Sequence, residues 1–462
     1  MDDYPGALGW LYSLTPARFD LKLERVRAAL EAWGHPERAF PSVIVAGTNG
    51  KGSTAHFLAE GLAALGWRVG TFTSPHLHRF GERIRVQGEA LSEAATVAFA
   101  RRLRQEMATG QLPALSFFEA TTLMALETFR QARVDWAVLE VGLGGRLDAT
   151  NAVDAELAIL TEVGLDHQAY LGPTLRHIAK EKAAVCRPGK PFFVGASAPR
   201  VQTVARACAQ RVGAHCELLG RDFRVQRHGN ELSLSLLDRA AGDPFALRSH
   251  VVAEVTEASP LDLSRALAWR ALLHLGAGRS PERLEKATRA VAQATWPGRF
   301  EWHRTPDGAV LLDGAHNPQG AAALVAYLEA YPNYRERTLI FGAMRDKDPA
   351  SLLAILAPRF DRIVLLPLPL SRSASAIELS GAAASTKLPV SLAAHPEEAL
   401  THAFVPPRAD KAPGATTNPI EAPPSETTQE TKRLVVVAGS LFIMAAIRAH
   451  LLHLTPDPPV AS

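Results

Sequence analysis

The chain has 462 residues, of which 47% are apolar and 21% charged, and this is enough for two or three domains with hydrophobic cores. Its 50 Lys and Arg nearly balance 47 Asp and Glu, so the net charge of +3 gives no indication of a nucleic-acid partner. Three cysteines are too few for a disulfide framework or a four-cysteine zinc site, which favours a reducing compartment. The start, MDDYPGALGW, is acidic where a signal peptide is basic, and no apolar run reaches about 18 residues. We therefore expect a cytoplasmic protein with no membrane partner.

The first part of the chain predicts an α/β fold. Short apolar runs alternate with longer amphipathic stretches, which is typical of parallel strands joined by crossover helices. Helical spacing covers Ser53–Leu65 and Phe117–Phe129, and it returns at Ser264–Leu275. The segment Arg221–Val252 has shorter alternating runs and predicts an antiparallel insertion with a His-Gly-Asn turn. The predicted strands of this part are Ser42–Ala46, Arg68–Thr73, Trp136–Val141, Leu157–Val163 and Pro191–Ala196.

A second α/β series follows the tripeptide Trp-Pro-Gly, and we place a domain boundary near Pro297. Residues 1–296 are expected to form an N-terminal phosphate-loop domain with a mostly parallel sheet. Residues 297–462 are expected to form a smaller, doubly wound α/β domain. Six prolines and hardly any large apolar residue in Pro406–Thr431 predict a flexible insertion. The predicted strands of this domain are Ala309–Asp313, Thr338–Ala343, Arg362–Leu368 and Arg433–Gly439.

Residues 43–53, VIVAGTNGKGS, have the composition of a phosphate-binding loop. An apolar strand leads into a glycine-rich turn, then Lys51, the hydroxyl of Ser53 and an amphipathic helix. Glycines let backbone amides approach an anion, the helix N-terminus adds its dipole, and the lysine adds a charge. The loop departs from the pattern G-x-x-x-x-G-K-[ST], because Val45 stands at the first glycine position and Gly52 follows the lysine. A glycine-rich turn with an ordinary surface lysine therefore remains the alternative.

Polar side chains stand at the ends of several predicted strands. Ser74 follows the second strand, Glu140 lies at the end of the third, and Asp166 and His167 follow the fourth. Because the carboxyl ends of parallel strands share one edge of a sheet, we expect these side chains near the phosphate loop. A hydroxyl, a carboxylate and an imidazole could together hold one magnesium ion, although imidazole is an unusual ligand for so hard a cation. A structural, hydrogen-bonded histidine is the alternative for His167.

The second domain also has polar residues after its first predicted strand. Asp313 is followed at once by the turn Gly-Ala-His-Asn-Pro, which contains His316. Arg299 lies just past the predicted boundary. It is placed to reach a nucleotide bound at a domain boundary, a common location for ligands, or it is a solvated charge of the linker.

Eight segments together resemble one enzyme family. In this order, they look like the folylpolyglutamate synthase and dihydrofolate synthase family of the Mur ligase superfamily. The resemblance runs from about Phe19 to Gly439, and the combination is far more specific than any single motif. The segments are AGTNGKGS (46–53), TSPHL (73–77), FFEATT (117–122), LEVGLGGRLDATN (139–151), LDH (165–167), EKAAV (181–185), PGRF (297–300) and DGAHNP (313–318).

The resemblance implies an ATP-dependent amide ligase. A carboxylate of a pteroate or folate would receive the terminal phosphate of ATP, and the amino group of L-glutamate would attack the acyl phosphate. Mg²⁺ is the implied cofactor, with two ions expected, and we expect a monomer. The implied catalytic residues are Lys51, Lys182 and His316. The implied ATP-binding residues are Thr48, Asn49, Gly50, Lys51, Gly52, Ser53, Asp262, Arg299 and Asp313. The implied metal ligands are Ser53, Ser74, Glu140, His167 and Lys182, the last as a carbamylated lysine.

The resemblance also implies a set of substrate-binding residues, and at one position this sequence departs from the family's usual residue. The implied pterin- or folate-binding residues are Phe19, Asp20, Leu21, Ser116 and Leu147, of which Phe19 to Leu21 match bacterial members that make dihydrofolate. Asp262 stands where the family usually has Asn. A carboxylate accepts hydrogen bonds but cannot donate them as an amide does, which puts one ATP contact in doubt.

Several functions remain open from the sequence. The leading one is a bifunctional enzyme that adds L-glutamate to dihydropteroate and to reduced folates. A monofunctional folylpolyglutamate synthase, or another Mur-type ligase with a different acceptor, is the alternative within the same class. A phosphate-loop switch or motor ATPase is the alternative from a different class, but it leaves the second domain unexplained. A binding module without activity is suggested only by Asp262.

Overall fold

The structure is a computed structural model that describes residues 3–15, 22–237, 247–255, 259–334, 336–404 and 433–458. Its chain divides into two compact units. Unit 1 contains Met1–His76 and Phe80–Thr295, and unit 2 contains Leu77–Arg79 and Trp296–Ser462. The segment predicted to be a flexible insertion, Pro406–Thr431, lies outside the described residues. Within the described part, no helix combines the length and the apolar character needed to cross a membrane.

Unit 1 is built on a sheet of eight described strands in the order β4-β3-β2-β5-β1-β6-β7-β8. Strands β2, β5, β1, β6, β7 and β8 are parallel, whereas β3 and β4 form an antiparallel edge. The central strand β1 is buried over its whole length, as its apolar sequence SVIVA predicts. The strands are β1 Ser42–Ala46, β2 Val69–Phe72, β3 Ile84–Val86, β4 Glu89–Ala90, β5 Trp136–Glu140, β6 Leu157–Leu160, β7 Pro191–Val194 and β8 His215–Leu218.

Helices connect these strands and cover the sheet. Helix α3 starts at the phosphate loop and packs closely against α9 and α10. A Cβ at Gly61 in α3 would overlap Leu272 of α9 and lie 3.1 Å from Val291 of α10, so the glycine permits this approach. The described helices of unit 1 are α1 Tyr4–Ser13, α2 Glu24–Ala32, α3 Lys51–Ala64, α4 Glu93–Ala108, α5 Phe117–Ala132, α6 Gln168–Leu171, α7 Leu175–Ala183, α8 Pro199–Val212, α9 Asp262–His274 and α10 Pro281–Gln293.

The antiparallel insertion predicted for Arg221–Val252 is present as a separate three-stranded sheet. Its order is β11-β10-β9, with β9 Phe223–His228, β10 Glu231–Leu237 and β11 Leu247–Glu254. His228 pairs with Glu231, so Gly229 and Asn230 form the connecting turn. Gly229 has φ of +58°, the left-handed backbone that a tight hairpin turn of this type requires.

Unit 2 contains a second sheet in the order β12-β13-β17-β14-β15-β16. Its strands are parallel except for β12, which pairs antiparallel with β13. Apolar side chains of α11, α12 and α13 pack on one face of the sheet, and those of α14 and α15 on the other. The elements are β12 Glu301–Thr305, β13 Gly308–Leu312, α11 Pro318–Leu328, β14 Glu336–Phe341, α12 Pro349–Leu356, β15 Arg362–Leu365, α13 Ala376–Ala384, β16 Val390–Leu392, α14 Pro396–Phe404, β17 Arg433–Ala438 and α15 Leu441–Leu451.

These two sheets confirm the predicted α/β class, a mostly parallel sheet in the first part and a doubly wound arrangement in the second. The sequence did not predict the antiparallel strands β3, β4 and β12. Strands β3 and β4 have only three and two residues, too few to show an alternating pattern. Strand β12 has the sequence EWHRT. Its first three residues are buried, but its polar composition does not indicate a buried strand.

Candidate active site

The phosphate loop connects the end of β1 to the start of α3. Gly47 follows β1 with φ of +150°, and Gly50 caps α3 with φ of +84°. A Cβ at Gly47 would overlap the Thr161 hydroxyl, so only glycine allows the loop to pass this close to the chain after β6. The backbone N–H of Thr48 donates to the Glu162 carbonyl at 2.7 Å, and the Thr161 hydroxyl donates to the Asn49 carbonyl at 2.7 Å. The loop is therefore held in shape by the residues that follow β6.

The loop brings a positive charge and a hydroxyl to the N-terminus of α3. Lys51 is half-buried, and its ammonium donates to the Thr48 carbonyl at 3.0 Å. Ser53 lies in the first turn of the helix and is 3% exposed. The helix dipole and the backbone N–H groups of this turn favour an anion, and the lysine adds to the same potential.

Lys182 contacts the phosphate loop from α7. Its side chain is 3% exposed, and its ammonium donates to the Gly47 carbonyl at 2.8 Å. Helix α7 reaches this position because Gly145 lets it approach. A Cβ at Gly145 would lie 2.8 Å from the Glu181 carbonyl oxygen and 3.0 Å from that of Lys182. The structure thus places two lysine ammonium groups on the backbone of one short loop.

Glu140 and Ser74 lie together at the same edge of the sheet. The parallel order β2-β5-β1-β6 aligns the carboxyl ends of these strands, so the residues after β2 and at the end of β5 flank the phosphate loop. The Ser74 N–H donates to Glu140 Oε2 at 2.9 Å, and Glu140 is 5% exposed. The predicted proximity of Ser74, Glu140 and the loop is thus found in the structure.

Arg83 is a neighbour of Glu140 that sequence reasoning missed. Burial lowers the pKa of Arg83 to about 10, against the opposing attraction of Tyr12, Glu140 and Glu82. Its Nε donates to His76 Nδ1 at 2.8 Å, and its guanidinium lies 5.0 Å from the ring centre of Phe117. The sequence signal was weak, because Arg83 belongs to a short helical turn before β3 and has no motif around it.

His167 follows β6 and has a left-handed backbone conformation. It has φ of +50°, its N–H donates to Asp166 Oδ1 at 2.8 Å, and its ring lies 3.9 Å from Asp166 Oδ2. Its side chain is 36% exposed. Among the described residues no three His, Cys, Asp or Glu side chains cluster as a metal site. A metal here would depend on hydroxyls and on a modified lysine as well as on Glu140 and His167.

The predicted substrate-binding residues are only partly described. Phe19, Asp20 and Leu21 lie outside the described residues. Ser116 is the N-cap of α5, where its hydroxyl accepts from the Glu119 N–H and Glu119 accepts from the Ser116 N–H. Leu147 is half-buried in the glycine-rich loop after β5.

Asp262 begins α9 and is engaged in an ion pair. Arg227 of β9 donates to both of its oxygens, through Nε at 2.8 Å and Nη2 at 3.2 Å. Arg265 lies 3.6 Å away as a second cation. The neighbouring Ser264, which the sequence did not single out, donates to the Gly50 carbonyl at 3.5 Å. The structure gives the Asp262 carboxylate a structural partner, and its ATP contact stays a prediction.

The second group of predicted residues lies in unit 2, after β13. Asp313 is 3% exposed and accepts from the Phe300 N–H at 3.2 Å and the Ala315 N–H at 2.8 Å. Burial raises the pKa of Asp313, and the charge of Arg299 and these hydrogen bonds oppose the rise. His316 Nδ1 donates to the Gly314 carbonyl at 2.7 Å, so a neutral ring has its lone pair on Nε2. Arg299, Asp313 and His316 therefore share one turn region.

Family models and similar proteins identify this arrangement. The model described as Mur ligase middle domain matches residues 45–199, and the one described as Mur ligase, glutamate ligase domain matches residues 298–410. The chain is 39% identical over 380 residues to the dihydrofolate synthase/folylpolyglutamate synthase of Escherichia coli K12, covering 80% of this chain and 83% of the relative. The enzyme of the same name from Mycobacterium tuberculosis is 36% identical over 370 residues, covering 75% and 74%. The chain belongs to the folylpolyglutamate synthase and dihydrofolate synthase family of Mur ligases.

Solved structures agree with this membership. Escherichia coli FolC in complex with DHPP and ADP has a TM-score of 0.81 and 31% identity, and the match covers 98% of each chain. A bifunctional folylpolyglutamate synthase/dihydrofolate synthase with Mn, AMPPNP and L-glutamate bound has a TM-score of 0.78 and 32% identity, covering 97% of this chain and 98% of the other. The predicted family, fold class and class of ATP-dependent amino-acid ligase are therefore confirmed.

Proposed function

We propose that this chain adds L-glutamate to dihydropteroate and to reduced folates, with ATP as co-substrate and an acyl phosphate as intermediate. The observation that carries the proposal is the edge of the unit 1 sheet, where Lys51 and Lys182 both contact the phosphate loop and Glu140 lies beside Ser74. The relatives named for both activities support it. A relative named for folylpolyglutamate synthase alone, from Lacticaseibacillus casei, is 34% identical and keeps the monofunctional alternative open.

The charges of the loop suit the first chemical step. Forming an acyl phosphate brings a carboxylate to a polyphosphate, so two anions must approach each other. Lys51 and the N-terminus of α3 supply the positive potential that this approach requires. They are already fixed by hydrogen bonds before a substrate binds, so little reorganisation is needed during the reaction.

The donor atoms near the loop fit a hard divalent cation. Ser53, Ser74 and Glu140 offer oxygen, which Mg²⁺ prefers, and Glu140 is a buried carboxylate whose charge a metal would offset. We propose these residues and His167 as its ligands. A bound Mg²⁺ would neutralise charge on the phosphates. Lys182 joins a second site only if it is carbamylated, because an ammonium cannot ligate a metal.

The residues of unit 2 are proposed to act on the nucleotide and on the incoming amine. Arg299 provides a positive charge that interacts with Asp313, and Asp313 holds the turn in which Arg299 lies through the Phe300 N–H. The Nε2 lone pair of neutral His316 can accept a proton from the ammonium of glutamate or hydrogen-bond to it. These roles follow the matched motif positions and stay predictions.

We also propose that the enzyme uses two Mg²⁺ ions, acts as a monomer in the cytoplasm and has no nucleic-acid or membrane partner. The small net charge supports the absence of a nucleic-acid partner, and the three free cysteines support a reducing compartment. The molar mass of the purified protein, measured by analytical ultracentrifugation, tests whether it is a monomer.

Omitting substrates one at a time tests the proposed function. Purified protein with ATP and Mg²⁺ is assayed for ADP release with dihydropteroate plus L-glutamate and with a reduced folate plus L-glutamate. We expect release with both acceptors and only when glutamate is present. Release with folate but not with dihydropteroate would establish the monofunctional alternative. Release that ignores glutamate would refute the ligase and favour the phosphate-loop ATPase.

A further inference from the structure

A buried polar cluster in unit 2 has no part in the roles proposed above. Four side chains form it, from three distant parts of the chain: His78, Glu301, His303 and Arg448. All four are at most 8% exposed. Burying charged and polar groups costs stability unless they are well paired, and such a network is the kind that fixes a unique local geometry.

Glu301 is the centre of the cluster. Arg448 donates through Nε to both of its oxygens, at 2.8 and 3.1 Å, and His303 Nε2 hydrogen-bonds to Oε1 at 2.9 Å. Burial raises the pKa of Glu301, but these hydrogen bonds from His303 and Arg448 outweigh it and lower the pKa to about 2. Glu301 is thus a carboxylate that only accepts hydrogen bonds, and so His303 carries a proton on Nε2.

The cluster holds the turn in which Arg299 lies. Glu301 pairs with Leu312, the last residue of β13, because β12 runs antiparallel to β13, so Glu301 stands at the same edge as Asp313. Glu301 Oε2 accepts the Gly298 N–H at 2.6 Å, and Asp313 accepts the Phe300 N–H. Arg299 is therefore flanked by two residues whose N–H groups are bound to buried carboxylates.

The same cluster holds the short segment Leu77–Arg79, which begins three residues after Ser74. The segment Leu77–Arg79 belongs to unit 2, although the residues before and after it belong to unit 1. Arg448 Nη1 donates to His78 Nε2 at 3.0 Å, and because arginine only donates, His78 accepts and is neutral. The Asp457 N–H donates to the His78 carbonyl, and the Arg79 side chain pairs with Asp457 at 3.1 Å.

We propose that Arg448 is a positioning residue that fixes two segments of unit 2 at once, the turn that contains Arg299 and the segment Leu77–Arg79. Through Glu301 it fixes the turn of Arg299, and through His78 it anchors the chain four residues after Ser74. Neither part needs Arg448 to touch a substrate. The inference rests on the proposed function for the roles of Arg299 and Ser74, but the anchoring itself depends only on the contacts above.

Three variants and one control test this inference. Arg448→Met removes both sets of contacts, and His78→Phe removes only the acceptor on the segment Leu77–Arg79. His78→Gln keeps an acceptor oxygen. The control is Arg362→Met, because Arg362 is a half-buried arginine of unit 2 that also hydrogen-bonds within its unit, to Thr338 and Ala403 at the amino-terminal end of the sheet. For each, the melting temperature, the dissociation constant of ADP by calorimetry, and kcat and KM for ATP are measured well below the melting temperature.

Arg448→Met is expected to weaken ADP binding and to lower kcat, each by about tenfold, as for a catalytic group displaced by a fraction of an ångström. His78→Phe should lower kcat more than it raises the ADP dissociation constant, and His78→Gln should stay within about twofold of the unchanged protein. Arg362→Met should lose thermal stability without either change. If Arg448→Met does not fold, His78→Phe decides the question.

Unchanged ADP binding and kcat in folded Arg448→Met and His78→Phe would overturn the inference, as would an equal kinetic loss in Arg362→Met. Failure of the proposed function would be seen separately, as ADP release by the unchanged protein that does not depend on glutamate. The ADP dissociation constants would still report on the anchoring in that case.

Discussion

Gly145 offers a direct test of the link between helix α7 and the phosphate loop. Gly145→Ala adds one methyl group at a residue without a positive φ, so its effect is steric alone. The new Cβ would lie 2.8 Å from the Glu181 carbonyl oxygen and 3.1 Å from the Lys182 Cα. Ordinary contact begins at 3.4 Å, so the backbone of α7 must retreat by about 0.6 Å (3.4 minus 2.8). The helix cannot avoid this by changing a side-chain rotamer.

The expected result follows from the position of Lys182 in α7, since its ammonium contacts the phosphate loop. Overpacking of this kind costs about 1–3 kcal/mol of unfolding free energy. A displacement of 0.6 Å is also enough to stretch the 2.8 Å hydrogen bond from Lys182 to Gly47. Because small misplacements of a reacting group cost one to two orders of magnitude, we expect kcat to fall about tenfold. The measurements are a thermal melt and steady-state ADP release at a temperature at which the variant is folded.

Gly9→Ala is the matched control, since Gly9 lies exposed within helix α1 and a Cβ there meets nothing within 4 Å. Alanine is the better helix former, so this control should gain about 0.5–1 kcal/mol and keep the kcat of the unchanged protein. If Gly145→Ala melts and turns over like the unchanged protein, α7 does not position Lys182 through Gly145 and the reasoning fails.

Three further variants address single residues. Lys51→Met should reduce kcat by at least about a hundredfold while the melting temperature stays within a few degrees, and normal turnover would refute the phosphate-loop assignment. Asp262→Asn should lower the melting temperature, because it breaks the ion pair with Arg227, and leave KM for ATP unchanged; a KM that changes in either direction at an unchanged melting temperature would instead support an ATP contact at this position. Glu301 is ionised down to about pH 2 instead of its ordinary 4.5, so its charge contributes about 3 kcal/mol above pH 4.5 that is lost as the pH falls towards 2. The melting temperature of the unchanged protein should therefore exceed that of Glu301→Gln by a margin that shrinks as the pH falls from about 5 towards 3, and a constant margin would contradict the low pKa.

Local features of the site could be predicted from the sequence. Strand β1 begins and ends at the predicted residues, and β2 differs from its prediction by one residue at each end. The phosphate loop and the proximity of Ser74 to Glu140 also follow from the sequence, because the order of a parallel sheet places strand ends together. Each of these depends on short runs of apolar residues and glycines that can be read without knowing the rest of the fold.

Contacts between distant residues could not be predicted in this way. Lys182 and Gly47 are 135 residues apart, and in the sequence Lys182 looks like a surface charge of a helix. His78 and Arg448 are 370 residues apart, and neither belongs to a motif with a chemical signature. The pairing of Arg83 with His76 was missed for a different reason, since it is local but depends on burial by other elements. In each case packing of the whole fold decides the role of the side chain.

The strand order of unit 2 has a consequence for synthesis of the chain. Strand β17 is the last of the described strands along the chain, yet it lies between β13 and β14 and pairs with both of them, so it joins the two halves of the sheet. A nascent chain that has not yet released Arg433–Ala438 from the ribosome has two sheet fragments with exposed apolar edges and no connection between them. Unit 2 therefore completes its sheet only after Arg433–Ala438 has been made, and a chain that stops before Arg433 loses the middle of that sheet and not its rim.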